Sequence, residues 1–176
     1  MAGIYTGKEK LNRTLEVVAN ILHEENINDW FIFFGTLLGI IRENSCIQGD
    51  DDLDIMINCD YQQLRSAFEK RGLIFMQGKY GIKNPDTILK SEPTQELGSI
   101  DFYMCNVNQS GDFHTPWHGV IATNSYIDIN NKSLIKFPWS NTVLNIPNNY
   151  KEKLVNMYGD WKTPQSRSCK MHIGKV

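Results

Sequence analysis

The sequence has no apolar run long enough to cross a bilayer. The longest, Trp30 to Ile41, has 12 residues, whereas a spanning helix needs roughly 20, so no membrane span is expected. The opening MAGIYTGKEK lacks the basic-then-apolar layout of a secretory signal. Neither sign of charge dominates: the net charge is −2, so no broad basic surface recommends a nucleic-acid partner, and none is expected. Cysteine is sparse and scattered. Cys46, Cys59, Cys105 and Cys169 contain no C-x-x-C pair, which argues against structural zinc and for reduced thiols in a cytoplasmic setting. Repeats, linkers and low-complexity tracts are absent. What remains is ordinary globular composition, with 41% hydrophobic and 22% charged residues. A chain of 176 residues can bury about 70% of its unfolded surface, and one domain over residues 1–176 is expected.

Periodicity supplies the elements. Leu11, Leu15, Val18 and Leu22 recur at helical spacing, predicting an amphipathic helix over 8–25. The apolar run at 29–34 reads as a buried strand, followed by a short helix over 36–43. Strands are expected at 53–58, 73–76 and 99–106, and a helix at 61–71 with Leu64, Ala67 and Phe68 inward. Residues 79–97 mix glycine, proline and polar side chains, so a hairpin or irregular loop is expected there. Residues 113–124 and 132–146 read as strands broken by Pro116 and Pro138. A last helix, 149–158, starts after Pro147 and Asn148 and stops at Gly159. This order predicts an α+β fold, a mixed sheet flanked by helices, rather than a doubly wound sheet.

The densest chemistry lies in GTLLGIIRENSCIQGDDDLDI, residues 35–55. Asp50, Asp51, Asp52 and Asp54 run directly into apolar sequence. In a strand, side chains two apart share a face, roughly 6–7 Å apart, so Asp52 and Asp54 project together. Like charges that close raise each other's pKa unless a cation neutralises them. All-oxygen ligands suit Mg²⁺ or Mn²⁺, and Mg²⁺ completes its shell with water and substrate phosphates. Taken alone, the run also fits an acidic turn entering a strand. Upstream, a strand meets Gly35-Thr36 and a helix start. That arrangement makes an anion site, with Thr36 as the cap and Gly35 allowing a phosphate close to the backbone. A tight turn is the alternative for Gly35.

The run hGTLLGxxR…DDDhDh (h apolar) resembles the signature of the LicD/fukutin-related family, which belongs to the polymerase-beta-like nucleotidyltransferase fold. The resemblance continues with GSIDFYM, placing Asp101 on a later strand. It continues through Phe137-Pro138, Ile146-Pro147-Asn148-Asn149 and Tyr158-Gly159-Asp160-Trp161 with Pro164, covering about residues 10–165. Gly49-Asp50 stands where family members often have tryptophan before the aspartates, and nothing matches the cysteine-clustered zinc site of some animal members.

The resemblance implies a transferase that moves a phosphate-linked group, phosphocholine- or phosphoribitol-like, from a CDP-activated donor to a glycan or small-molecule hydroxyl. Lipopolysaccharide or teichoic-acid modification is the corresponding setting. Asp52 and Asp54 would hold Mg²⁺ or Mn²⁺. Asp101 would orient and deprotonate the acceptor or bind a second metal; a plain strand aspartate is the alternative. Rival readings are nucleotidyl transfer from an NTP to a small molecule and a non-catalytic binding module. Arg42 either clamps a phosphate or pairs with Glu43 or Asp50. His114 and His118 sit at a helical ligand spacing, but Pro116 between them disfavours a helix. Trp117 is a candidate stacking platform, and Trp139 and Trp161 fill the core or its rim. Lys162, Arg167, Lys170 and His172 form a basic tail, either covering the nucleotide or simply solvated.

Overall fold

A computed structural model describes residues 7–76, 87–164 and 175–176. Helix α1 (Lys8–Glu24) buries Leu11, Leu15, Val18 and Leu22 along one stripe, as the spacing predicts. Strand β1 (Trp30–Ile32), helix α2 (Phe34–Glu43), strand β2 (Asp52–Ile57) and helix α3 (Tyr61–Glu69) follow. The Asp60 side chain caps α3 by accepting from the Gln63 N–H. Strands β3 (Ile88–Lys90) and β4 (Ser99–Met104) complete a four-stranded sheet in the order β1-β2-β4-β3. Its pairing is mixed: β2 and β4 run parallel, and β1 and β3 are antiparallel to their neighbours. Three short strands, β5 (Asn106–Val107), β6 (Phe113–His114) and β7 (Ile121–Ala122), form a second sheet. Strands β8 (Ile135–Trp139) and β9 (Thr142–Ile146) form a hairpin, and helix α4 (Tyr150–Tyr158) ends at Gly159. The fold class is α+β, as expected.

One continuous core joins these parts. Leu53, Ile55 and Ile57 of β2, Ile100 and Phe102 of β4, and Phe68 of α3 are fully buried. Phe68 and Phe75 both pack edge-on against Phe102, at 5.0 and 6.1 Å between centroids, a geometry that aligns ring edges with ring faces.

Three expectations need correction, and one is made specific. Helix α2 begins at Phe34, so Thr36 lies inside its first turn and Phe33 is the residue before it, with no side-chain cap. The 73–76 segment is not a strand; it keeps a single bridge, Phe75 to Ser91, because the chain touches the sheet there only once. In the 79–97 stretch, of which 79–86 lie outside the described residues, the hairpin alternative holds: Ile88–Lys90 is a strand that pairs antiparallel with the next strand, β4. Three residues carry too little periodicity to announce themselves. Residues 113–124 split around a 3₁₀ turn, Trp117–Gly119, in which His118 takes φ +50°. Pro116 begins that turn, so His114 and His118 never share a helix face. Arg167, Lys170 and His172 lie outside the described residues.

Candidate active site

The parallel register of β2 and β4 decides the site. Asp54 pairs with Asp101, and Asp52 with Ser99. Directly paired residues on neighbouring strands point to the same face, about 4.8 Å apart, and Asp52 is two residues from Asp54 on that face. Asp52, Asp54 and Asp101 are thereby brought together from segments 47 residues apart. The opposite face of β2 carries Leu53 and Ile55 into the core.

Asp54 is buried and tied down through its side chain and its backbone. Its Oδ2 accepts from the Gly35 N–H at 3.1 Å and its Oδ1 from the Tyr103 hydroxyl at 2.9 Å. Its own N–H donates to the Thr36 hydroxyl at 2.8 Å, and its carbonyl accepts from the Phe33 N–H. The first turn of α2 is therefore stitched to β2, and the Gly35 N–H already has an anionic partner, the Asp54 carboxylate. Thr36 acts as acceptor for the strand rather than as cap of the helix. A Cβ on Gly35 would lie 2.6 Å from Asp50 Oδ2 and 3.5 Å from Asp54 Oδ2. A side chain here would have to push the end of Asp50 aside, so the absence of one lets that carboxylate approach the helix start. Beside Gly35, Phe34 takes φ +40°, a left-handed conformation that costs a bulky residue energy and clusters at functional sites.

Lys90, which sequence reasoning missed, stands opposite Asp101 in the antiparallel β3–β4 register. Its Nζ contacts Asp101 Oδ2 closely and lies 3.5 Å from Asp52 Oδ2. Asp101 is 3% exposed, yet its Oδ1 has no hydrogen-bond partner among the described residues. Asp50, Asp51 and Asp52 each offer a carboxylate oxygen within 4.8 Å of the others. The acidic cluster thus extends from Asp52 toward the exposed loop as well as toward Asp54.

The electrostatics follow from one nearby cation, among the described residues, facing several carboxylates. Burial, then the charges of Asp52, Asp101 and Asp50, hold the Asp54 pKa well above the ordinary carboxylate value. Burial and Asp52 push Asp101 up to about 7, against the lowering effect of Lys90. Asp50 is pushed up to about 6 by burial and by Asp52 and Asp51, and Asp52 is raised by burial despite Lys90. Burial alone would lower the Lys90 pKa, but Asp101 and Asp52 outweigh it and keep the amine charged. Carboxylates crowded in low dielectric are in want of positive charge, and a divalent cation bound by oxygen ligands fits that demand.

The remaining candidates fall into place around this centre. Arg42 lies at the far end of α2, roughly 10 Å along the helix from Gly35, and its guanidinium pairs with Glu43. Trp117 packs edge-on to His118 at 4.5 Å and tilted to Tyr103 at 6.4 Å. His114 contacts Asn108. Trp139 is buried, with its Nε1 donating to the Asn44 carbonyl, and half-buried Trp161 packs against the core with Lys162 over its ring. No helix among the described residues is long and apolar enough to cross a membrane.

A mixed sheet, braced by a helix start, thus carries aspartates from two parallel strands onto one face. The chain belongs to the LicD/FKTN/FKRP family: residues 27–149 match its nucleotidyltransferase domain. No curated protein matches the chain. Among solved structures it is similar to that of ANT(2")-Ia in complex with adenylyl-2"-tobramycin. The likeness has 16% identity and a TM-score of 0.40, over 57% of this chain and 59% of that one. The chain thus spans less than two thirds of that protein.

Proposed function

We propose that the chain, acting as a single domain, is a metal-dependent transferase. It moves a phosphate-linked group, phosphocholine- or phosphoribitol-like, from a CDP-activated donor to a glycan hydroxyl. The observation that carries the reading is the convergence of Asp52, Asp54 and Asp101 on one sheet face, with Asp101 Oδ1 buried and unpartnered. An orphaned, buried carboxylate oxygen beside other carboxylates is costly, and such groups are retained where a bound species completes them.

The donor set fits Mg²⁺ or Mn²⁺, with Asp52 and Asp54 as ligands and Asp50 alongside. Such an ion supplies charge neutralisation for the donor's phosphates. The chain's own residues do the rest. Asp101, beside the ligand pair, orients the acceptor hydroxyl and takes its proton. Its raised pKa suits a base working near neutrality. The Gly35–Thr36 turn fixes Asp54, so the carboxylates are positioned before the donor arrives, and positioning accounts for much of the barrier lowering in transfer reactions. Arg42 becomes a phosphate clamp only by leaving Glu43.

A mass-spectrometric screen of CDP-linked donors with Mg²⁺ and glycan acceptors tests the proposal. CMP release with acceptor modification supports it. Pyrophosphate release from an NTP establishes nucleotidyl transfer instead. Nucleotide binding without turnover of any donor leaves a binding module.

A further inference from the structure

We propose that Lys90 is a resident counter-ion for the carboxylate site, a positioning residue that holds Asp52 and Asp101 together until a divalent cation displaces its ammonium group. The inference rests on the metal reading above and deepens it. It starts from the strand that the sequence did not announce. Strand β3 is three residues long, and its last residue is registered opposite Asp101. The side chain reaches inward across the strand pair, so that one ammonium group contacts carboxylates from both β2 and β4. A single positive charge there balances only part of the negative charge of Asp50, Asp51, Asp52, Asp54 and Asp101.

Two further observations indicate that this arrangement is exchangeable. First, Lys90 occupies Asp101 Oδ2 only; Oδ1 stays buried and without a partner among the described residues, so the lysine leaves the carboxylate half-satisfied. Second, the Lys90 side chain is 24% exposed while that of Asp101 is 5% exposed. The carboxylate is fixed in the sheet, whereas the ammonium sits on a flexible four-carbon stem with a route to water. A doubly charged ion with several oxygen ligands interacts more strongly with the same carboxylates than one ammonium does. Displaced, the ammonium remains tethered at the edge of the site, where an anionic donor binds. Lys90 therefore raises the metal concentration needed to load the site, and it keeps the carboxylates in register when no metal is present.

The test uses the full chain and Mn²⁺ alone. Binding is titrated calorimetrically into wild type, Lys90→Gln and Lys90→Arg, and melting temperatures are measured in chelator and in saturating Mn²⁺. Lys90→Gln is expected to bind Mn²⁺ at least tenfold more tightly and to melt lower in chelator, with the melting difference vanishing when Mn²⁺ is bound. Lys90→Arg, which keeps the charge, is expected to restore wild-type affinity. A second measurement needs no variant: a brief pulse of an amine-acetylating reagent, read by peptide mass spectrometry. Mn²⁺ is expected to raise acetylation of Lys90 severalfold and to leave Lys136, on β8, unchanged. Equal or weaker Mn²⁺ binding by Lys90→Gln overturns the inference while leaving the metal site standing. So does Lys90 acetylation that Mn²⁺ does not change, which also decides the matter if Lys90→Gln fails to fold. Absence of Mn²⁺ binding by both wild type and Lys90→Gln overturns the metal reading and this inference together.

Discussion

Replacing Asp101 with Asn should make the metal-free protein more stable at neutral pH while removing its activity. The side chains have the same shape, and Asn Oδ1 can still accept from Lys90, which keeps Asp52 as its ionic partner. What changes is charge. In the folded chain Asp101 is pushed up to about 7 by burial and by Asp52, against an ordinary value of 3.8. The native state therefore holds a proton that the unfolded chain has released between about pH 4 and pH 7. Its contribution to stability is fully present below pH 4 and is lost as pH rises through 7. A gap of about 3 pH units corresponds to at most ~4 kcal/mol, at ~1.36 kcal/mol per pH unit. Because neighbouring carboxylates share the strain, an effect of about 2–4 kcal/mol is expected from this substitution. Urea unfolding in chelator at pH 4 and pH 8 measures it. The variant and wild type should coincide at pH 4, and the variant should be the more stable at pH 8, with unchanged denaturant sensitivity. Loss of a general base costs ~10²–10⁴-fold in turnover, so activity with Mg²⁺ should fall by that factor while donor affinity holds. A variant no more stable than wild type at pH 8 would refute the claim that the folded site crowds this carboxylate.

Three further outcomes are expected. Asp52→Asn and Asp54→Asn should each keep the fold by circular dichroism and retain under about a tenth of wild-type turnover, since each ~1.4 kcal/mol of lost transition-state stabilisation is tenfold in rate; a higher residual rate removes that residue from the metal site. Gly35→Ala should force Asp50 aside, because its new Cβ would lie 2.6 Å from Asp50 Oδ2. The end of the Asp50 side chain can swing away, so a stability change under about 1 kcal/mol with reduced activity is expected, and wild-type activity would contradict a role for that approach. Mg²⁺ with a cytidine nucleotide should raise the melting temperature more than Mg²⁺ alone, because ligands of the native state stabilise by mass action; equal shifts with adenosine and guanosine nucleotides would remove the cytidine preference.

Strand alternation was enough to put Asp52 and Asp54 on one face, and the apolar-Asp-apolar pattern of GSIDFYM was enough to put Asp101 on a strand. Their meeting depends on register between segments far apart in sequence, which only the family resemblance suggested. Lys90 was not legible at all: three strand residues after a stretch rich in glycine and proline give no period to read, and the lysine's role comes from the residue it faces. Thr36 was legible as a polar residue near a helix start. Its part was misjudged because the helix begins two residues earlier, at a phenylalanine forced to positive φ, a placement that no propensity favours. The histidine pair was discounted for the right reason, since Pro116 opens a tight turn between them.

The parallel pairing of β2 with β4 also bears on how the chain reaches its working form. Neighbours in that pair are 47 residues apart, and parallel strands cannot be joined by a tight turn. Such contacts form only after the entropy of closing a long loop has been overcome. Asp54 and Asp101 become neighbours in that same closure, as does the Tyr103 hydroxyl that holds Asp54. A nascent chain with α1, β1, α2 and β2 in place has the acidic motif but no site. The three-carboxylate cluster arrives together with strand β4, so a half-folded species carries the acidic motif without the cluster.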